Sequence, residues 1–142
     1  MNDLPLFRII IAGTRTFSDY EKLRASCNRL LAEKQRTHTV VVISGTARGT
    51  DQLGERYARE RGFQLRRFPA DWDRDGKKAG PIRNAKMADN ADALIAFWDG
   101  QSRGTKNMIE TAKRKGLAIR IINLSNEKKN ATGNERTYQE TR

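Results

Sequence analysis

The sequence has very little of the chemistry that binds metals or cross-links chains. Its 142 residues include one cysteine, Cys27, and one histidine, His38. A single cysteine cannot form an intrachain disulfide, and these two residues cannot supply the ligand cluster that zinc needs. Cys27 also falls on the apolar stripe of a predicted helix, where a buried thiol is expected. We therefore predict no metal site, assign no cofactor, and expect Mg²⁺ only through the phosphate of a ligand.

Long apolar runs are also missing. No segment approaches about 20 consecutive apolar residues, the length that a membrane-spanning helix needs. The first residues, MNDLPLFRIIIAG, lack the basic region, apolar segment and cleavage site of a secretory signal. We expect a cytoplasmic protein with no membrane partner. The sequence does not indicate an oligomeric state.

Acidic residues are outnumbered. Lysine and arginine number 28 against 17 aspartate and glutamate residues, so the net charge is +11 at pH 7. The segment from Ser125 onward holds four basic and three acidic residues, which leaves about +10 on the rest of the chain. A domain this basic attracts phosphates. Charge alone favours an anionic partner and leaves both a nucleic acid and a small nucleotide open.

The hydrophobic pattern alternates short apolar runs with helix-like segments. Strands are predicted at residues 7–12, 39–44, 64–68, 93–98 and 118–123. Helices are predicted at 18–35, with Ser18 as N-cap, at 51–61, from Pro81 onward, and at 105–115. Strands that are apolar on both faces and separated by helices predict a parallel sheet covered on both sides. We expect an α/β, three-layer domain over residues 1–124, with a parallel sheet of five strands in the order 3-2-1-4-5. Residues 125–142 are expected to form a disordered polar tail.

Three glycine-bearing turns should meet at one edge of this sheet. GTRTF follows the first strand, SGTARGTD the second and DGQSRGTK the fourth. Sheets of this kind bind ligands at the carboxyl ends of their strands. A glycine turn that leads into a helix lets backbone N–H groups converge on an anion. Neither the phosphate loop of NTPases nor the G-x-G-x-x-G dinucleotide fingerprint is present, so the turns indicate an anion site of another kind.

Charged side chains near these turns are the candidate ligand contacts. The arginines that suit phosphate oxygens belong to loops or helix starts at this edge: Arg15, Arg48, Arg83 and Arg103. Glu55 and Glu60, by contrast, form i,i+4 pairs with arginines on their helix, which is typical of a solvated face. Asp99, which ends the fourth strand, is the best-placed carboxylate, ahead of Asp51, which also suits the first turn of its helix. Trp72 either stacks on a base or packs on the surface of the domain.

A resemblance to the SLOG superfamily, and within it to the YspA-type branch, covers about residues 7–124. It is carried by the stretches GTRTF, SGTARGTDQLGERYA, FPADW, GKKAGPIRNAKMADNADALIAFWDG and SRGTKNMIETAKRKG. The superfamily comprises Rossmann-like sensors and enzymes of nucleotide derivatives, including the LOG phosphoribohydrolases and the DNA-processing protein DprA. The resemblance implies a nucleotide or nucleotide-derived phosphate at the carboxyl edge of the sheet, bound by a sensor or a nucleotide-processing protein. Single-stranded nucleic-acid binding, as in DprA, is the alternative, through Arg66, Arg67, Lys77 and Lys78.

The resemblance also assigns residues. It makes Gly45, Arg48, Gly49 and Asp51 face the ligand, places Arg83 and Asn84 beside the same pocket, and has Gly104 and Thr105 cup a phosphate. The turns add the remaining predicted contacts: Gly13, Thr14, Arg15, Ser44, Asp99, Gly100 and Ser102. LOG enzymes carry a catalytic glutamate three residues after the threonine, where this chain has Met108. LOG-like phosphoribohydrolase activity is therefore a second, less favoured alternative, and no catalytic residue is assigned.

Overall fold

The computed structural model describes residues 4–124 and 138–141, which fold into one sheet with helices between its strands. The strands are β1 (Leu6–Gly13), β2 (Thr39–Ser44), β3 (Gln64–Arg67), β4 (Ala93–Trp98), β5 (Ala118–Asn123) and β6 (Tyr138–Thr141). The helices are α1 (Tyr20–Leu31), α2 (Lys34–Thr37), α3 (Thr50–Arg61), α4 (Trp72–Asp75), α5 (Ala79–Asp89) and α6 (Arg103–Arg114), with a 3₁₀ turn (Gly76–Lys78) before α5. None of these helices is long and apolar enough to cross a membrane.

The strand order is β3-β2-β1-β4-β5-β6. The first five strands are parallel, which confirms the predicted parallel sheet in the order 3-2-1-4-5. Because β1 pairs with β2 on one side and β4 on the other, both of its edges are hydrogen-bonded and it is a central strand of the sheet. The carboxyl ends of β1, β2 and β4 are therefore neighbours, and the three glycine turns follow them.

Two apolar clusters lie on opposite faces of the sheet. Successive strand residues point to opposite faces. Ile9 and Ile11 belong to the cluster formed with α1 and α3, whereas Ile10 and Ala12 belong to the cluster formed with α5 and α6. Cys27 is fully buried in the first cluster, as expected, and burial raises the pKa of its thiol to about 12. The three-layer arrangement is confirmed.

Several helix starts differ from the sequence prediction, and one of them is α5, which begins at Ala79 rather than Pro81. The N-cap of α1 is Asp19 rather than Ser18, because the Asp19 carboxylate accepts a hydrogen bond from the N–H of Lys22 at 3.0 Å. Both residue types cap helices well, and the chain enters α1 one residue later than predicted. Helix α6 begins at Arg103, two residues earlier than predicted, with Ser102 as its N-cap.

The segment expected to be a disordered tail is described only at Tyr138–Thr141. These four residues form β6, which pairs antiparallel with residues 119–122 of β5. They therefore depart from the expectation, and the pairing covers the backbone groups that β5 would otherwise leave open at the edge of the sheet. The rest of residues 125–142 lies outside the described residues, and the division of the chain at residue 124 stays a prediction.

Candidate ligand-binding site

A cavity of about 440 Å³ opens at the carboxyl edge of the sheet, where the turn after β1 meets the starts of α3, α5 and α6. Ligand pockets commonly measure about 300–1,000 Å³, so the cavity is large enough for a nucleotide. The predicted site residues that line it are Gly13, Arg15, Asp51, Arg83, Asn84, Ser102, Gly104 and Thr105. Their assignment as ligand contacts stays a prediction.

Arginines without ionic partners surround the cavity. Arg15, Arg83 and Arg103 line it, and none of them forms an ion pair within the described residues. Six other arginines of the described chain pair with carboxylates, namely Arg8, Arg24, Arg56, Arg59, Arg67 and Arg74, whereas Arg36, Arg48 and Arg66 also have no carboxylate within 4 Å among the described residues. Three guanidinium groups without a carboxylate within 4 Å therefore line the cavity where the sequence predicts an anion, and the charge of Asp51 acts on Arg83 and Arg15 only from a greater distance.

Arg83 is the best fixed of these arginines. Its Nη1 donates to the carbonyl oxygen of Gly45, and its Nε donates to Oδ1 of Asn84 at 2.9 Å. Its Nη2 has no hydrogen-bond partner within the described part of the chain. Burial lowers the pKa of Arg83, because desolvation disfavours the charged form. An anion in the cavity would compensate this partly desolvated charge.

Asn84 connects the helices on either side of the cavity. Its side chain is buried, and its Nδ2 donates to Oδ1 of Asn107 at 2.9 Å and to the carbonyl oxygen of Gly104 at 3.5 Å. Together with the bonds of Arg83, these contacts join the turn after β2 to α5 and to the first turn of α6. The walls of the cavity are thereby held in a fixed arrangement.

Asp51 is the one carboxylate among the residues that line the cavity. It lies in the first turn of α3, is 6% exposed, and accepts a hydrogen bond from the N–H of Ala47 at 3.0 Å. Burial raises its pKa to about 6, although the Ala47 hydrogen bond and the charge of Arg83 act in the opposite direction. The group therefore titrates near neutral pH. Within residues 4–124 and 138–141, no three His, Cys, Asp or Glu residues are grouped to hold a metal ion.

Gly45 and Gly49 shape the site from behind its wall. A Cβ on Gly45 would lie 2.9 Å from Nη1 of Arg83 and 2.9 Å from Oδ2 of Asp51, so a side chain there would displace one or both of these groups. Gly49 has φ +73°, and a Cβ there would lie 2.2 Å from the carbonyl oxygen of Arg15. Because these two residues have no side chain, Arg83, Asp51 and the backbone of Arg15 can lie close to the turn.

Ser44 is fully buried at the end of β2, away from the cavity. Its hydroxyl donates to Oε2 of Glu55 at 2.7 Å and accepts from the N–H of Thr46 at 3.0 Å. The prediction of a solvated face is wrong for Glu55, which is 6% exposed and is also contacted by Arg67 Nε at 3.2 Å. It is correct for Glu60, whose 2.9 Å pair with Arg56 is exposed. Ser44 and Glu55 hold the turn in place.

Asp99 stabilises the turn after β4. Its Oδ1 accepts from the N–H groups of Gln101 and Ser102, each at 2.8 Å, while its own N–H donates to the hydroxyl of Thr14 at 3.1 Å. Burial alone would raise the pKa of Asp99, but the backbone hydrogen bonds outweigh it and the pKa is lowered. Asp99 and Thr14 thus join two turns without lining the cavity. Two further predicted residues, Arg48 and Gly100, lie exposed outside it.

Several lining residues were not assigned as ligand contacts from the sequence, among them Asn107 and Met108, and Trp72 was predicted either to stack on a base or to pack on the surface. Trp72 is 51% exposed at the rim, with Cη2 3.5 Å from the position of a Cβ on Gly80. The position of Asn107 in the cavity wall depends on the packing of α6 against α5, and no local sequence pattern predicts this packing. Met108 is buried in the wall, whereas Glu110 is exposed and does not line the cavity. The wall is therefore apolar where the LOG resemblance places a catalytic glutamate.

Known structures share this fold. DNA processing protein A (DprA) from Streptococcus pneumoniae superposes with a TM-score of 0.62 and 17% identity over 82% of this chain and 49% of its own. The present chain thus spans about half of DprA. The structural genomics target TM1055 superposes with a TM-score of 0.56 and 20% identity, over 82% of this chain and 72% of its own. At these identities the similarity establishes the fold.

Sequence comparison extends the similarity beyond the fold. The family model for the YspA, cpYpsA-related SLOG family matches residues 7–74, which include β1, β2, β3 and the turns after β1 and β2. Gene 61 protein of Mycobacterium phage D29 is 35% identical over 120 residues, which cover 79% of this chain and 93% of that protein. Identity at this level over most of both chains, together with the family match, shows that this chain belongs to the YspA, cpYpsA-related SLOG family.

Proposed function

We propose that the cavity binds a nucleotide or nucleotide-derived phosphate and that the protein acts as a sensor or a nucleotide-processing protein. The observation that carries the proposal is that Arg15, Arg83 and Arg103, which have no carboxylate within 4 Å in the described chain, line one cavity together with the first turn of α6. The first N–H groups of a helix have no partner within the helix and favour an anion. Membership of the SLOG family supports the same ligand class. A cytoplasmic location stays a prediction.

Each lining group has a role in this proposal. Arg83, Arg103 and the first turn of α6 hold the phosphate, and Arg15 closes the site from the turn after β1. Asp51 accepts a hydrogen bond from a hydroxyl or amino group of the ligand. Trp72 offers its exposed ring to the base at the rim.

The test is calorimetric titration with the four nucleoside 5′-monophosphates. Arg15 and Arg103 are suitable for substitution because their side chains are exposed and hold no other part of the described structure. We expect Arg103→Gln and Arg15→Gln each to weaken binding about tenfold or more, since a charge-assisted hydrogen bond contributes about 1.5–3 kcal/mol. Arg36→Gln is the matched control, because it removes the same charge from an exposed position before β2, at the opposite edge of the sheet. Equal losses in all three variants, or no binding by the unmodified protein, would reject the proposal.

Single-stranded nucleic-acid binding is the second candidate. Two observations favour it: the net charge of +11 and the similarity of fold to DprA, which is named as a DNA processing protein. Arg66, Lys77 and Lys78 are exposed near α4 and would form the contact surface. This candidate predicts that affinity for an oligonucleotide falls steeply with salt and that Lys77→Gln with Lys78→Gln lowers the salt slope by about 1.4, or 0.7 per lost contact. An unchanged slope would exclude this surface.

A further inference from the structure

A second cavity of about 340 Å³ adjoins the first along α5. Residues spaced three or four apart on α5 line the second cavity, namely Ala79, Ile82 and Lys86, while an adjacent stripe lines the first, namely Gly80, Asn84 and Met87. Arg83 lies on the boundary and lines both. The two cavities are therefore neighbouring compartments that share one guanidinium group.

The second cavity has an apolar floor beneath a charged rim. The apolar lining residues are Phe68, Pro69, Ala70, Ala79 and Ile82, and the charged ones besides Arg83 are Arg67, Asp71, Arg74, Asp75 and Lys86. Ile82 is 36% exposed, although most large apolar side chains of the described chain are covered. A flat ring with polar edges fits such a surface, because its faces contact the floor and its edges meet the rim.

Charge distribution separates the two compartments. Arg74 pairs with Asp75 at 3.0 Å, and Arg67 pairs with Glu55 at 3.2 Å, so much of the positive charge in the second cavity is already compensated. The first cavity holds Arg15 and Arg103 without ionic partners in the described chain. A phosphate is therefore favoured at the first cavity and at the boundary, and a neutral ring in the second.

We propose that the ligand contains two nucleobases joined through phosphate, with the phosphate link at Arg83 and the second base in the cavity floored by Phe68 and Ile82. This inference rests on the proposed function, which places the first nucleotide in the first cavity. The same chemistry occurs in a pyrophosphate-linked dinucleotide and in two neighbouring nucleotides of a single strand. The shared element is a base on each side of a bridging phosphate.

The experiment compares one base with two. The four nucleoside 5′-monophosphates are titrated first, and the best-binding base is then tested as its 3′–5′-linked dinucleotide and as its 5′,5′-pyrophosphate-linked dinucleotide. At least one of these dinucleotides should bind tenfold tighter or more, because stacking of a further base adds affinity. Ile82→Asp should remove most of that gain, measured as the ratio of dinucleotide to mononucleotide affinity within the same variant, because the new carboxylate lies beside Arg83 and also acts on the mononucleotide. Leu6→Asp, which places the same charge on an exposed apolar residue of β1 at the other edge of the sheet, should leave both affinities unchanged.

The outcomes distinguish the two proposals. Mononucleotide binding without a gain from either dinucleotide overturns the second base site and leaves the proposed function standing. A gain that persists in Ile82→Asp places the second base elsewhere and also overturns the inference. A gain with the pyrophosphate-linked form alone supports a free dinucleotide, whereas a gain with the 3′–5′-linked form alone supports a strand. Failure of every probe to bind rejects both proposals.

Discussion

Among single residues, Asp51 has the most direct consequence for stability. Its pKa of about 6 in the folded chain exceeds the ordinary value of 3.8, because burial disfavours the carboxylate. A raised folded-state pKa contributes stability that is fully present below about pH 4 and is lost as the pH rises through about 6. At one pKa unit per 1.36 kcal/mol, the ionised group destabilises the fold by roughly 3 kcal/mol above pH 7. We infer that ligand binding, rather than folding, accounts for its presence.

Replacement of Asp51 by Asn should make this penalty visible. The amide oxygen can still accept the hydrogen bond from Ala47, and the amide does not ionise. We expect Asp51→Asn to raise the free energy of unfolding by about 2–3 kcal/mol at pH 8 and by little at pH 4. Urea denaturation at the two pH values measures this difference. Equal increments at both pH values would show that Asp51 does not titrate in this range.

Thr46 is a non-glycine residue with a left-handed backbone in the turn after β2. Its φ is +67°, a conformation that costs an L-residue about 1–2 kcal/mol and is least favourable for a β-branched side chain. Asn tolerates this conformation, so Thr46→Asn should raise the free energy of unfolding by about 1 kcal/mol. Thr46→Val keeps the branching and is the control, with no gain expected. Chemical denaturation of both variants tests the assignment, which fails if Thr46→Asn is no more stable than Thr46→Val.

Residue roles were predictable where the determining contact is local in sequence. The exposed pair of Arg56 with Glu60 follows from its i,i+4 spacing. Glu55 has the same spacing with Arg59 but is buried, because Ser44 and Arg67 approach it from two neighbouring strands. That approach depends on the strand order and on how α3 crosses the sheet. The sequence pattern of α3 alone therefore does not predict that Glu55 is buried.

Among elements, α3 and α6 contain glycines with opposite surroundings. A Cβ on Gly54 of α3 would lie 2.9 Å from Cγ2 of Ile11, whereas one on Gly104 of α6 would meet no atom within 4 Å. Gly54 therefore allows α3 to pack closely on β1. Gly104 is not required for packing, and the open space beside it is available to the proposed ligand.

Alanine substitutions should separate these two roles. Gly54→Ala should lower the free energy of unfolding by about 1–2 kcal/mol, because overpacking outweighs the gain in helix propensity. Gly104→Ala should raise it by at most about 1 kcal/mol and should weaken nucleotide binding, since the new methyl group enters the phosphate position. Thermal denaturation and titration of both variants give the two readouts. Undiminished binding by Gly104→Ala would remove the first turn of α6 from the phosphate site.

The elements themselves were largely predictable, and the cavity walls were not. Four of the five parallel strands are short apolar runs, β3 (QLRR) being the exception, and their alternation with helices predicts a doubly covered sheet. The place of Asn107 depends on which faces of α5 and α6 meet, and these helices are separated by a strand. The place of Trp72 depends on how α4 packs beside Gly80 of α5. The pairing of β6 with β5 is likewise non-local, and the β6 sequence YQET contains no apolar run from which a strand could be predicted.

For the whole molecule, ligand binding should appear as added stability. A ligand present at about 100 times its dissociation constant adds about 2.7 kcal/mol, which corresponds to roughly 5–10 °C in Tm for a chain of this size. We expect this shift with the best nucleotide and expect part of it to persist in 0.5 M NaCl, because partly buried charges such as Arg83 are screened less than exposed ones. A shift that appears only with oligonucleotides and disappears in salt would favour the strand-binding candidate.

The most direct test of the central claim is an amide chemical-shift titration of the ¹⁵N-labelled protein with the nucleotide that binds best. Its mass of 16.2 kDa suits the method. We predict that the perturbed amides cluster around the cavity, at Arg15, Ala47, Gly104 and Thr105, and that they titrate with one dissociation constant. Perturbations confined to Arg66, Lys77 and Lys78, or an unchanged spectrum at saturating nucleotide, would contradict a nucleotide site at the carboxyl edge of the sheet.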